Sequence, residues 1–367
     1  MGIADKTASL GRLAAAGLAF LLMGVLSPAM AEYGDLRAQF REHQDAYLEA
    51  QAEGNFEAME RIFFEQQDLL NQARGDLQAQ NAAQSRDPAT LRNLATVLAM
   101  DADYDLAAET LARAAHHAPA DAENWLMLGE MRMHLGDAAA PDAAGALRQC
   151  LALEPGGRTA AHAYGLMTAL YIEMGLIPLA RRVLEEGRGL DEGHPALEIG
   201  ALALDIAEGR IEEAYETLDA QGIIPFRGVE LIKHALELFE ASGHAVPNTA
   251  AAHTAYARIL FRVGETHRCA APLERAITLE PGDASVWNFL ASVHLTLGRF
   301  DAARHAFAQS LTLDEDQPWV REIVEALDAG EPVAPEDMET EDFTPAPQDQ
   351  PDQPLSPFMG VDAPAQN

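Results

Sequence analysis

The chain has 367 residues and a formal charge of −33, from 58 acidic and 25 basic side chains. Among the basic residues only Lys6 and Lys233 are lysine, and no basic stripe offsets the acidity. Nucleic acid and anionic lipid surfaces are therefore excluded as partners, because like charge repels them.

Residues 1–31 read as a cleavable signal peptide. Lys6 and Arg12 make a basic start, Leu13 to Leu26 an apolar run, and Ala29-Met30-Ala31 a small-x-small site before Glu32. The run is short for a spanning helix, and no later segment is apolar enough to cross a membrane. No Cys lies at the cleavage point, which argues against an acylated lipoprotein, and no twin Arg precedes the run. The expected location is the periplasm, with cleavage near Ala31. The leader carries a net +1, so its removal would leave a charge of −34.

Residues 32–86 are expected to form an amino-terminal hairpin or degenerate repeat, with helices near 34–52 and 56–80 joined at Gly54. The pattern is then regular over 87–228. Pro88 to Asp121 carries Leu91, Leu94, Ala95 and Leu98 at helical spacing, then Ala107 and Leu111. Ala122 to Gly157 carries Trp125, Leu128, Gly129, Gly136, Ala143 and Leu147, with two extra residues placed in the turn at Asp137 to Pro141. Ala161 to His194 follows with Tyr164, Tyr171, Gly175, Ala180 and Leu184, and Pro195 to Gly228 more weakly with Gly209, Ala214 and Leu218. Residues 229–249 interrupt the period with one amphipathic helix at about 229–241. The period resumes over 250–328. Ala250 to Asp283 carries Tyr256, Ala257, Leu260, Gly264 and Leu273; Ala284 to Gln317 is the most regular stretch, and a capping helix is expected at Pro318 to Leu327. The recurrent Gly fits a helix end that needs positive φ. Residues 329–367 are rich in Pro, Asp, Glu and Gln, hold no basic residue, and predict a disordered acidic tail with an apolar patch at Pro354 to Met359.

In Ala284 to Gln317 the spacing Trp287, Leu290, Ala291, His294, then Ala303 and Phe307 around a turn at Gly298, resembles the tetratricopeptide repeat, a helix–turn–helix unit of roughly 34 residues. One unit cannot bury its apolar face alone, and the neighbouring units repeat it. The resemblance implies an all-α fold, an α-solenoid of such repeats in a right-handed superhelix. Cys150 and Cys269 then fall at core positions of units three apart. Helix layers stand about 8–10 Å apart, so both are expected as buried free thiols rather than a disulfide.

The family's first helices line a concave groove that grips peptides or helices. Carried onto this sequence, that groove implies Met127, Glu130, Met133, His134, His162, Leu166 and Glu173, then Ile199, Arg258, Phe261, Arg262, Phe289 and Ser292, as partner-binding residues. The Lys/Asn/Arg clamp that some members use for a carboxyl terminus has no counterpart here. Arg258 and Arg262, one turn apart, suit an acidic peptide, or else pair with nearby carboxylates.

No nucleophile elbow, Gly-rich phosphate loop or metalloprotease helix occurs, so no catalytic residue, cofactor or metal site is assigned. Met127, Met131, Met133 and His134 make a soft-ligand cluster of the kind copper sites use, with gap-filling in a helix interface as the competing reading. The expected function is a non-catalytic periplasmic scaffold or assembly factor whose groove binds a peptide or helix of another protein in the cell envelope. The alternatives are a structural component of an envelope polysaccharide or secretion complex that acts through its tail, and copper handling.

Overall fold

The structure, a computed structural model, describes residues 55–79, 82–191, 193–220 and 226–329, with His43, Ala46, Tyr47 and Ala50 before them. The leader, most of the helix expected at 34–52, the Gly54 turn and the tail from residue 330 lie outside the described residues.

All regular structure among the described residues is helical, and the fold is an α-solenoid of helix–turn–helix repeats. It comprises two compact units divided after Tyr256. In the first, α1 (Phe56–Ala79) precedes four helix pairs. These are α2 (Pro88–Met100) with α3 (Tyr104–His117), α4 (Ala122–Met133) with α5 (Ala140–Leu153), α6 (Gly157–Glu173) with α7 (Ile177–Arg188), and α8 (Pro195–Ala207) with α9 (Ile211–Ala220). Then comes α10 (Phe226–Ala241), followed by α11 (Ala250–Arg262), whose first residues belong to this unit. The second unit holds the end of α11, then α12 (Ala270–Leu279), α13 (Ala284–Thr296), α14 (Phe300–Leu313) and α15 (Pro318–Ala329).

The first helices start and stop by recurring chemistry. Asp87, Asp121 and Asp283 cap α2, α4 and α13, accepting from the backbone N–H of Thr90, Glu123 and Ser285 at 2.8, 3.1 and 2.9 Å; each satisfies an amide that the first turn leaves without an intrahelical partner. At the end of α6, Gly175 has φ 69°, its N–H donates to the Ile172 carbonyl at 2.8 Å, and the Leu176 N–H reaches back to Tyr171 at 2.7 Å. This bond pair reverses the chain in two residues and fills carbonyls the helix end exposes. It recurs at Gly209, Gly264 and Gly298. In α2 the same bonds form around Ala102, which adopts φ 58° without being glycine.

Small residues set how closely the helices pack. A Cβ on Gly129 of α4 would stand 2.7 Å from Leu147 of α5, and one on Gly165 of α6 would stand 2.8 Å from the backbone of Ala196 in α8. Gly200 of α8 faces Thr168 of α6 just as tightly, at 2.9 Å. The second unit uses bulk instead. Phe289 and Phe307 are fully buried, and Phe307 meets Trp319 of α15 edge-on, with centroids 6.0 Å apart.

The period breaks at α10, as the sequence suggests, but the helix is not isolated. It packs against α8 and α6, both first helices, through Leu231, Ile232, Ala235, Leu236 and Phe239, all buried. The last helix among the described residues is α15, which buries Val320 and Ile323 and exposes Arg321, Glu322 and Glu325. A polar outer face stops further stacking. Both cysteines are buried and free.

Candidate functional site

The candidate residues are first-helix side chains, on α4, α6 and α8 in the first unit and on α11 and α13 in the second. In α4, Met127 and Met131 pack with Ala95, Ala107, Leu111 and Leu128 in one apolar cluster, and Met133 and Glu130 are also buried. His134 is half-buried and its ring stacks on Tyr104, with centroids 4.2 Å apart and planes 7° from parallel. The methionines of this helix thus fill gaps in the helix interface. Among the described residues, no three His, Cys, Asp or Glu side chains gather as a metal group.

On α6, His162 and Leu166 are buried and Glu173 is half-buried; Ile199 on α8 is half-buried. The His162 ring lies 5.4 Å from that of His194. His194 caps α8, its Nδ1 accepting the Ala196 N–H at 3.2 Å. Burial pulls the His194 pKa below its ordinary value, Arg158 adds to the depression, and Asp191 opposes it.

On α11 and α13 the side chains converge. Phe261 and Phe289 meet edge to face at 5.6 Å and 87°, and the Arg258 guanidinium stands 6.0 Å over the Phe289 ring. Arg258 and Arg262 are half-buried one turn apart on α11, whereas Ser292 is enclosed and donates to the Asn288 carbonyl at 3.0 Å.

The sequence places Met127, Met133, Leu166, Phe261 and Phe289 on an open groove. The structure encloses all five, none more than 6% exposed. These first helices are apolar on both faces, and a helix apolar all round belongs in an interior. Glu130, His162 and Ser292 are likewise enclosed. The residues left partly accessible are His134, Glu173, Ile199, Arg258 and Arg262.

Both cysteine thiols are buried. Burial, as the largest influence in each case, pushes the Cys150 and Cys269 thiols up to about 12, far from the thiolate that reaction requires.

Sequence reasoning misses the polar clasps between repeats. The Arg92 guanidinium on α2 bonds Asp121 and Asn124 at the start of α4. Asn288 of α13 donates to Gln317 at 2.6 Å, and Gln317 donates in turn to Ser310 Oγ at 3.0 Å and to the Asp314 carbonyl at 2.9 Å. A polar residue five places into a first helix, answered 29 positions later just before the next, is the signal that could have found both. The two Trp residues of first helices also carry a shared bond. Trp125 and Trp287 each donate from Nε1 to a proline carbonyl six residues back, Pro119 at 2.9 Å and Pro281 at 3.4 Å.

The tetratricopeptide repeat family model matches residues 284–317. None of the curated proteins matches the chain. Among solved structures, the APC/C hetero-tetramer Cut9–Hcn1 is similar at 14% identity and TM-score 0.38, over 70% of this chain and 46% of the other. The chain thus spans less than half the length of that protein. A tetratricopeptide repeat protein from Parabacteroides merdae ATCC 43184 is similar at 13% identity and TM-score 0.36, over 79% of this chain and 99% of the other. YrrB, a tetratricopeptide repeat protein with an unusual peptide-binding site, is similar at 14% identity and TM-score 0.30, over 59% of this chain and 99% of its own.

Proposed function

We propose that this tetratricopeptide repeat protein is a non-catalytic scaffold of the bacterial cell envelope, binding a peptide or helical segment of an exported partner on its first-helix face. The observation that carries the reading is the convergence of consecutive first helices α11 and α13. They set Arg258, Phe261 and Phe289 against one another, with Arg262 one turn further along. The enclosed phenyl pair fixes the shape of this surface, and the two guanidiniums supply its charge. Arginine suits that role because its planar fork bonds a carboxylate at two points. In a chain of charge −33, these two arginines offer positive charge to an acidic segment. Envelope placement rests on the leader: Lys6 and Arg12, the apolar run, and the small residues at 29–31.

The test is affinity capture from envelope extracts with the mature chain and its Arg258→Glu/Arg262→Glu variant. The variant should fold, since both side chains are partly exposed, and should lose the specific partner. Recovery of the same partner by both chains would overturn the assignment of this surface. A reporter enzyme that folds only in an oxidising compartment, fused after residue 40, should be active; an inactive fusion would overturn the placement.

A further inference from the structure

The repeat plan accounts for every helix from α2 to α14 except α10. The second helix of one repeat ends at Ala220, the next repeat opens at Ala250, and α10 occupies the gap. Were α10 the next opening helix of the stack, it would lie between α8 and α9, as α6 lies against both α4 and α5. It lies instead across α8 and α6, the first helices of two consecutive repeats. That is the face on which a tetratricopeptide array receives a partner, and on α6 His162 and Leu166 are closed off, at 1% and 4% exposed.

The chemistry of α10 is that of a ligand helix. Leu231, Ile232, Ala235, Leu236 and Phe239 form one buried apolar stripe, while Glu230, Glu237 and Glu240 face outward. Two of its charged contacts are local to the helix, Lys233 with Glu230 at 3.2 Å and His234 with Glu237 at 3.5 Å. Its carboxyl end is tied by the Tyr256 hydroxyl, which donates to Glu240 at 2.7 Å. The connection onward, Ser242 to Thr249, is almost wholly exposed and holds Gly243 at φ 76° together with Pro247.

We infer that α10 is an internal occupant of the first-helix face at α6 and α8, held where an amphipathic helix of a partner, apolar along one stripe and acidic on the other side, binds by displacing it. This rests on the reading of the first-helix face as the binding face. It adds a competitor built into the chain and the kind of partner that replaces it, a helix laid in an apolar groove. The fraction of molecules with α10 released sets the apparent affinity of that partner.

The probe is a labelled synthetic peptide of residues 226–241, measured by fluorescence anisotropy against the full chain and its Leu231→Glu/Leu236→Glu variant. The variant, with its own α10 unable to seat, should bind the peptide at least about tenfold more tightly than the native chain, a difference of about 1.4 kcal/mol. A scrambled peptide should bind neither. Equal binding to both chains, or to neither, overturns the proposal. Because the double variant risks misfolding, hydrogen exchange on the native chain supplies a second reading. Residues 226–241 should exchange at least about tenfold faster than α6 and α8, as a segment that opens by itself does. Exchange of all three at one rate makes α10 an integral part of the core and overturns the proposal. Loss of peptide binding with capture still dependent on Arg258 and Arg262 removes α10 alone; loss of that dependence removes the binding face.

Discussion

Where α6 meets α8, little stands between the two backbones. Gly165 faces Ala196 and Gly200 faces Thr168, at distances that leave no room for a methyl group. Where α14 meets α15, the space is filled by Phe307 and Trp319, and a buried amide, Gln317, ties α13 and α14 to the start of α15. One plan of paired helices is therefore closed in two ways. The first excludes volume and tolerates no addition. The second depends on volume and tolerates no removal. The location of a substitution, more than its size, should decide its cost.

The largest expected effect tests the filled end. Phe307→Ala removes a fully buried ring and should cost about 3–5 kcal/mol, read as a lowered midpoint in chemical denaturation. The opposite change tests the close crossing. Gly165→Ala adds one methyl group 2.6 Å from the Ala196 Cβ and should cost about 1–3 kcal/mol. Gly145→Ala, in α5 with nothing within 4 Å, should instead stabilise by about 0.5–1 kcal/mol through helix propensity. If both glycine variants lose stability alike, the crossing is not limited by volume. Gln317→Leu keeps the bulk but strands the buried Asn288 amide, and should cost about 1–3 kcal/mol in the same measurement.

Much of this was legible in the sequence. Gly175, Gly209, Gly264 and Gly298 mark their turns because only a residue without Cβ takes positive φ cheaply, and Phe307 falls at core spacing. Ala102 hid the corresponding turn, since nothing in its side chain announces φ 58°. The candidate site was harder to read. Periodicity finds one apolar face of a helix, but the first helices are apolar on two, so Phe289 and Phe261 read as offered to a partner when they are enclosed. The α10 contacts with α6 and α8 join residues too far apart in the chain for any local pattern to show.

Two smaller effects sharpen the contrast further. Ala102→Gly should relieve the left-handed strain of the α2 turn and stabilise by about 1 kcal/mol, a gain visible in thermal melting. The close crossing should also respond to acid. His194 has a folded pKa below its ordinary value because it is buried, so the unfolded chain takes up the proton first. Stability is therefore full above about pH 6.5 and falls as the pH drops through that value toward the folded pKa. Protonation of Nδ1 would also remove the cap on α8 and set a cation at a helix amino terminus. His194→Asn keeps a capping oxygen without the titration, and its denaturation midpoint should fall less than that of the native chain between pH 7 and 5.

The seat of α15 has a consequence for how long such a chain can be. Asn288 holds Gln317 as Arg92 holds Asp121, so the last full repeat receives α15 as though it opened another. Arg321 and Glu325 stand where Trp287 and Ala291 stand 34 positions earlier, and both are exposed. The outer face of α15 is thus set by a couple of charged side chains at positions where the preceding repeat is apolar. A copy of Ala284–Gln317 spliced in after Gln317 would meet a junction already shaped for it, and the chain would gain a repeat while keeping its original terminus.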